Sequence, residues 1–295
     1  MYTTLISADQ LKALQGSGAP SMVFDCSFDL MNPAAGEEQY RKSHIAAAVY
    51  ANLDTALSDQ GVVDADGAHH PHPDAASGGR HPLPGREKFA MWLSSVGFSN
   101  DMQAVVYDRN GGTYCGRLWW MLKWAGHDAS AVLDGGLKAW LAVGGEVTDQ
   151  PEPSHFQSNF RLGSQLRSLA TTPVVQSRLG QSGQTLIDAR APARFRGEVE
   201  PLDPVAGHIP GALNRPASEN FSADGRFKPA AELKSEFEQL LQGREPVTVV
   251  HHCGSGVSAV PNLIAMEVAG LGPTLLYAGS WSEWITNPKR PVARG

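Results

Sequence analysis

Cysteine is scarce in this chain, with three residues, Cys26, Cys115 and Cys253, among 295. They are too few and too widely spaced for a disulfide framework, which suits a reducing compartment and leaves room for a reactive thiol. No run approaches the ~20 consecutive apolar residues of a membrane span. The opening stretch MYTTLISADQLKAL lacks the basic end and long apolar core of a secretory signal, so a cytoplasmic location and no membrane partner are expected. Basic stripes are missing too, and a net charge of -6 argues against nucleic acid as the main partner. A small-molecule substrate is the better expectation. With 42% hydrophobic and 18% charged residues the composition is that of an ordinary folded protein.

What the sequence does contain is one unit written twice. Shifting the chain by 144 residues aligns AVVYDRNGG, from Ala104, with TVVHHCGSG, from Thr248. The identities fall where backbone geometry matters: Gly112 with Gly256, Gly126 with Gly270, Gly135 with Gly279, and Trp140 with Trp284. Upstream, SHIAAA around His44 matches GHIPGA around His208, and MVFDC matches TLIDA near Asp25 and Asp188. About 20 extra residues separate these blocks in the first half. They lie in SDQGVVDADGAHHPHPDAASGGRHPLP, whose Gly, Pro, Asp and His content predicts an irregular loop.

Within each unit, β-branched runs such as SMVFD, AVVYD, TLIDA and VTVVH alternate with helical patterns such as GREKFAMWLSSVG and PAAELKSEFEQLLQG. That alternation predicts an α/β fold, with each unit a parallel sheet carrying helices on both faces. The expected boundaries are residues 1–145 for the first domain, 146–160 for a Pro- and Gly-containing linker, and 161–295 for the second.

Cys253 follows the strand-like VTVVH and precedes a helical stretch, so it is expected at the carboxyl edge of a sheet, where open α/β folds bind ligands. Gly254 and Gly256 let successive N–H groups turn inward as an anion-binding nest beside a helix start. A partly exposed cysteine held there as thiolate is a nucleophile; the bland reading is a small core residue at a strand end. The first unit has Arg109 at the matching position and is expected to be inactive, while Cys26 and Cys115 are read as structural. A cysteine phosphatase needs an arginine six residues past the nucleophile, but Ala259 stands there. Transfer of sulfur needs a cradle of amides more than a fork of positive charge.

The doubled unit, DARAPARFRGEVEPLDPVAGHIPGA, HPLP, CGSGVSA and GSWSEW together resemble the tandem-domain rhodanese and 3-mercaptopyruvate sulfurtransferase family. The resemblance spans nearly the whole chain. It implies two tandem rhodanese-like domains, an inactive first and an active second, and sulfane sulfur carried on Cys253 as a persulfide before transfer to a thiol, cyanide or a thioredoxin-like acceptor, with no cofactor and no metal. The loop CGSGVS is similar to the CGSGVT of the mercaptopyruvate enzymes rather than the cationic CRKGVT of thiosulfate enzymes. It implies 3-mercaptopyruvate as donor, with Gly254, Gly256, Val257 and Ser258 cradling it.

By the same resemblance Arg194, in PARFRG, binds the donor carboxylate, and Ser255, His81 and Asp54 form a catalytic set in which His81 moves a proton and Asp54 fixes its tautomer. The family's second arginine, in E-P-R, is missing: EPLD has Leu202. Arg190 and Arg196 are read as surface ion-pair partners. Thiosulfate as donor, or a sulfane-sulfur carrier without rapid turnover, remain the alternatives. His69, His70 and His72 invite a metal reading, but no Cys or acidic ligand follows at zinc spacing, and a polar loop that could cover a site is preferred. His251 and His252 are expected to be hydrogen-bonded strand-end residues, Trp284 a core residue, and Trp281 a weak site candidate.

Overall fold

The computed structural model describes residues 1–63, 69–70, 72–152 and 155–295, without the side chains of 62, 63, 69 and 70. The chain divides into two compact units: residues 1–57, 84–166 and 221–227 form one, and residues 58–83, 167–220 and 228–295 the other. Segment 58–83 thus belongs with the second unit, which no composition boundary announces.

The first unit holds a five-stranded parallel sheet in the order Leu5–Ile6, Ser130–Leu133, Gln103–Tyr107, Ser21–Asp25, Ala48–Tyr50. Alternation along the strands sends Val23 and Val105 to one face, where they join Leu11 and Trp140 from helices Ala8–Gly16 and Gly136–Ala142. Phe24 points to the other face, 6.0 Å from Trp92 of helix Arg86–Ser95 and 5.7 Å from Phe98. Ser7 starts the first helix through a capping box with Gln10. Inside the segment expected to be a linker, Val147–Thr148 forms a strand antiparallel to His44–Ile45, and Trp140 Nε1 donates to Glu146 O at 2.9 Å.

The second unit repeats the plan with four parallel strands, ordered Leu213–Asn214, Thr185–Asp188, Val249–His252, Leu275–Leu276. Leu186 and Val250 pack with Val175, Trp281 and Trp284 on one face. On the opposite face His251 Nε2 lies 3.2 Å from Met266 Sδ of helix Val260–Val268. The stretch expected to be wholly irregular contains a short pairing, Val62–Val63 antiparallel to His69–His70. The His69 and His70 side chains, and with them the metal reading, lie outside the described residues. Among the described residues, no helix is long and apolar enough to cross a membrane.

The repeat is visible in atomic detail. His44 Nδ1 bonds Tyr40 O at 2.7 Å with the two rings stacked, and His208 Nδ1 bonds Phe195 O at 2.7 Å in the same way. Asp25 Oδ1 accepts the N–H of Ser27 at 2.8 Å, and Asp188 Oδ1 that of Arg190 at 2.9 Å.

Candidate active site

Strand Val249–His252 ends in the sheet interior, and the loop after it is set by three hydrogen bonds from the next strand–helix junction. Ser280 Oγ accepts the Cys253 N–H at 3.0 Å, and the amides of Trp281 and Ser282 donate to the carbonyls of Cys253 and Gly254 at 3.0 and 2.8 Å. Gly256 adopts φ +73°, and a Cβ there would stand 2.0 Å from Ala278 O, so only glycine allows this close approach. Ser280, at φ +55° and with no exposed surface, went unnoticed in the sequence although it is the second residue of GSWSEW.

The two repeats use the same loop differently. In the first, Asp108 turns its carboxylate into the loop and accepts the N–H groups of Asn110, Gly112, Tyr114 and Cys115 at 2.8–2.9 Å. In the second, His252 occupies the position matching Asp108 and supplies no anion. Among the described residues, the amides of Gly254, Ser255, Val257, Ser258 and Ala259 have no acceptor. The first repeat therefore shows what such a cradle holds: a negatively charged group. Arg109, at the position of Cys253, bonds Asp25 Oδ2 at 2.9 Å, Ser27 Oγ at 2.5 Å and the Ser43 carbonyl, filling the place with a guanidinium.

Cys253 is 1% exposed, which corrects the expectation of partial exposure. The reason is the back-bonding of the loop carbonyls to residues 281 and 282, which turns the start of the loop inward. Its setting is nonetheless not hydrocarbon. Arg190, expected at the surface, is buried: its guanidinium grips both oxygens of Asp188, donates to Gly207 O at 2.7 Å and lies 4.8 Å above the Trp281 ring. Burial works against its charge, but Asp188, Glu200 and Cys253 outweigh that and strengthen its hold on the proton. Arg196, by contrast, is the exposed partner of Glu198 that was expected. Cys26 and Cys115 are buried too, and burial followed by nearby Asp25 and Asp108 pushes both thiols well up.

The structure brings Ser255 and His81 together: His81 Nδ1 stands 2.7 Å from Ser255 Oγ, and both residues are 4% exposed. His81 reaches this point because its loop is closed on itself, Ala76 N–H to Leu83 O at 2.7 Å and Leu83 N–H to Ser77 Oγ at 2.9 Å. It is also pinned by Gly78 N–H to Glu283 Oε2 at 3.1 Å and Arg80 N–H to Ser282 Oγ at 3.0 Å. Asp54 belongs to the first unit, where its amide donates to Asn52 Oδ1 at 2.8 Å.

Arg194 pairs with Glu200 at 2.6 Å and Asp203 at 3.3 Å, and its Nη atoms lie 3.5 and 3.6 Å from where a Cβ on Gly254 would stand. Arg80, which the sequence reading missed, is joined to Asp203 at 2.5 Å. His251 is hydrogen-bonded as expected, through Nε2 to Met266 Sδ, with its Nδ1 unbonded; His252 departs from expectation, since among the described residues neither ring nitrogen has a hydrogen-bond partner, and it sits 3.9 Å from Asp188. Trp281 and Trp284 are both core residues, their ring N–H groups donating to Val205 O and Pro291 O.

Two parallel-sheet units, one with a cysteine at the head of a Gly-rich amide loop and one whose matching loop is closed on its own carboxylate, define a tandem domain of a known kind. The chain belongs to the rhodanese-like domain family, whose domain it matches at residues 7–143 and again at 171–287. It is 43% identical over 295 residues to the Pseudomonas aeruginosa protein named "Probable 3-mercaptopyruvate sulfurtransferase", covering 99% of this chain and 98% of that one. The mouse thiosulfate sulfurtransferase is 29% identical over 309 residues, covering 100% of this chain and 97% of the mouse protein. Among solved structures, Escherichia coli SseA, described as a 3-mercaptopyruvate sulfotransferase, is similar with a TM-score of 0.75 and 28% identity, over 95% of this chain and 100% of that one.

Proposed function

We propose that the protein is a sulfurtransferase that takes sulfane sulfur from 3-mercaptopyruvate and delivers it to a thiol or cyanide through a persulfide on Cys253. The observation that supports this reading is the contrast between the two loops: Asp108 fills the first, while among the described residues the amides of Gly254, Ser255, Val257, Ser258 and Ala259 beside Cys253 have no acceptor. A thiolate, or the negative sulfur of a persulfide, is the group those amides await. All three cysteines are free.

In the first half-reaction the Cys253 thiolate attacks the donor sulfur. An S–S bond forms, the donor C–S bond breaks, and its electron pair passes to the departing carbon as the enolate of pyruvate. Ser255 and His81 form the hydrogen-bonded pair that delivers a proton to the enolate. In the second half-reaction an acceptor thiolate or cyanide attacks the outer sulfur and Cys253 leaves as thiolate. Sulfur is therefore transferred by a ping-pong scheme.

Thiosulfate is the second reading. The two guanidinium groups beside Gly254 would suit a dianionic donor as well as a carboxylate. The deciding experiment compares kcat/KM for the two donors: a higher value for 3-mercaptopyruvate is expected, and a strong thiosulfate preference would overturn the donor assignment.

A further inference from the structure

Leu202 leaves the expected second donor-binding arginine unfilled, yet a second guanidinium stands beside Gly254, the residue after Cys253. Arg80 comes from the loop 76–83, far from Leu202 in the chain. Its Nη1 bonds Asp203 Oδ1 at 2.5 Å, and its Nη2 lies 3.1 Å from where a Cβ on Gly254 would stand. The Arg194 Nη atoms lie 3.5 and 3.6 Å from that same point. Asp203 joins the two cations from behind, accepting from Arg194 at 3.3 Å through its other oxygen.

Both guanidinium groups keep donors in reserve. Among the described residues, Nε and Nη2 of Arg80 and Nη1 of Arg194 have no acceptor, and Nε of Arg80 is buried. Unused N–H groups on two cations, next to the residue that follows the nucleophile, call for an anionic ligand. Gly254 fits the same picture, because any side chain there would enter the gap between the two arginines. Backbone bonds to Glu283 and Ser282 hold the loop, so Arg80 is presented by a fixed support.

We propose that Arg80 and Arg194 form a two-guanidinium clamp for the carboxylate of a 2-oxo acid donor, Arg80 supplying from the 76–83 loop the cation that position 202 lacks. The inference rests on the mercaptopyruvate reading above, and it makes Arg80 a specificity-determining residue. Asp203 is the positioning residue that aims both arginines.

The test pairs donors that share the sulfur chemistry and differ only in the carboxylate: 3-mercaptopyruvate and 1-mercaptopropan-2-one. Arg80→Leu is expected to raise KM for the acid by about tenfold to a hundredfold, the worth of a charge-assisted hydrogen bond, with kcat within about threefold. kcat/KM for the neutral ketone should change by less than about twofold, and Arg80→Lys should recover part of the loss for the acid. Equal losses with both donors, or no loss, would overturn the clamp. A calorimetric titration of pyruvate into Cys253→Ser, with and without Arg80→Leu, needs no turnover. At least about tenfold weaker binding in the double variant is expected, and equal affinities, or no binding to Cys253→Ser, sink the inference. Turnover of thiosulfate but not of 3-mercaptopyruvate by the unaltered protein would instead sink the functional reading, so the two failures are distinct.

Discussion

His81 Nδ1 meets Ser255 Oγ at 2.7 Å, across 174 residues of chain. A buried hydroxyl and imidazole at this distance can pass a proton only if both are present, so they should fail together. Ser255→Ala and His81→Asn are each expected to lower kcat with 3-mercaptopyruvate by about a hundredfold, and the double variant by little more than either. With thiosulfate, whose leaving sulfite needs no proton, the losses should stay within about tenfold. Steady-state kinetics of the four proteins on both donors check this, and multiplicative losses in the double variant would refute a shared proton path.

The three cysteines are all buried, yet among the described residues only Cys253 heads a loop whose amides at 254, 255 and 257–259 have no acceptor, whereas the Cys115 amide is taken by Asp108. Incubation with donor should add the mass of one sulfur atom to the intact protein, read by mass spectrometry. Cys253→Ser should show neither that gain nor turnover. Cys26→Ser and Cys115→Ser should show both, since burial and nearby carboxylates keep those thiols protonated. A mass gain that survives Cys253→Ser and vanishes in Cys115→Ser would move the chemistry to the other repeat.

Much of this architecture could be read from residues alone, and the parts that could not share a cause. Strand runs such as TLIDA and VTVVH, the paired glycines and the repeated Trp140 and Trp284 announce two α/β units because local backbone geometry demands them. The loop at Cys253 was legible for the same reason. Arg80 and Asp203 were not: their pairing joins segments 123 residues apart, and no local period records it. Arg190 looked like a surface arginine because its burial depends on Asp188, Gly207 and Trp281 together. The Val62–Val63 pairing with His69–His70 escaped notice because two-residue strands carry no alternation.

Acid should destabilise the second unit before its carboxylates are neutralised. Burial, then the neighbouring His252 and Arg215, pushes His251 down to about 3, and burial lowers His252 as well. An unfolded chain protonates these imidazoles near pH 6.5 while the folded one keeps them neutral, so stability rises with pH through this window and falls as acid is added. For His251 the slope approaches about 1.4 kcal/mol per pH unit, and His252 acts in the same direction. Below the window Asp188 adds to the loss: burial raises its pKa, but His252 and Arg190 hold it under the usual carboxylate range. Asp134 and Asp203, raised chiefly by burial, act oppositely at the acid end. Urea midpoints at about pH 7, 6 and 5 should fall in order, and His251→Leu should flatten part of the fall. A midpoint independent of pH would contradict the neutral burial of these rings.

Asp108 serves the first repeat as a built-in anion, and its removal should expose what the second repeat keeps open. Asp108→Ala strips four N–H groups of their acceptor. Leaving buried donors bare costs about 1–3 kcal/mol each before relaxation and water entry, so a net loss of a few kcal/mol is expected in urea unfolding. The emptied cradle should then accept a small anion from solution. Sulfate at fixed ionic strength should raise the midpoint of Asp108→Ala more than that of the unaltered protein, because a ligand that binds only the folded state stabilises it in proportion to its occupancy. Asp108→Asn, which keeps one carbonyl oxygen, should fall between the two and gain less from sulfate. If sulfate stabilises all three proteins equally, the loop amides of the first repeat do not form an anion site, and the comparison that assigns the matching cradle to Cys253 loses its support.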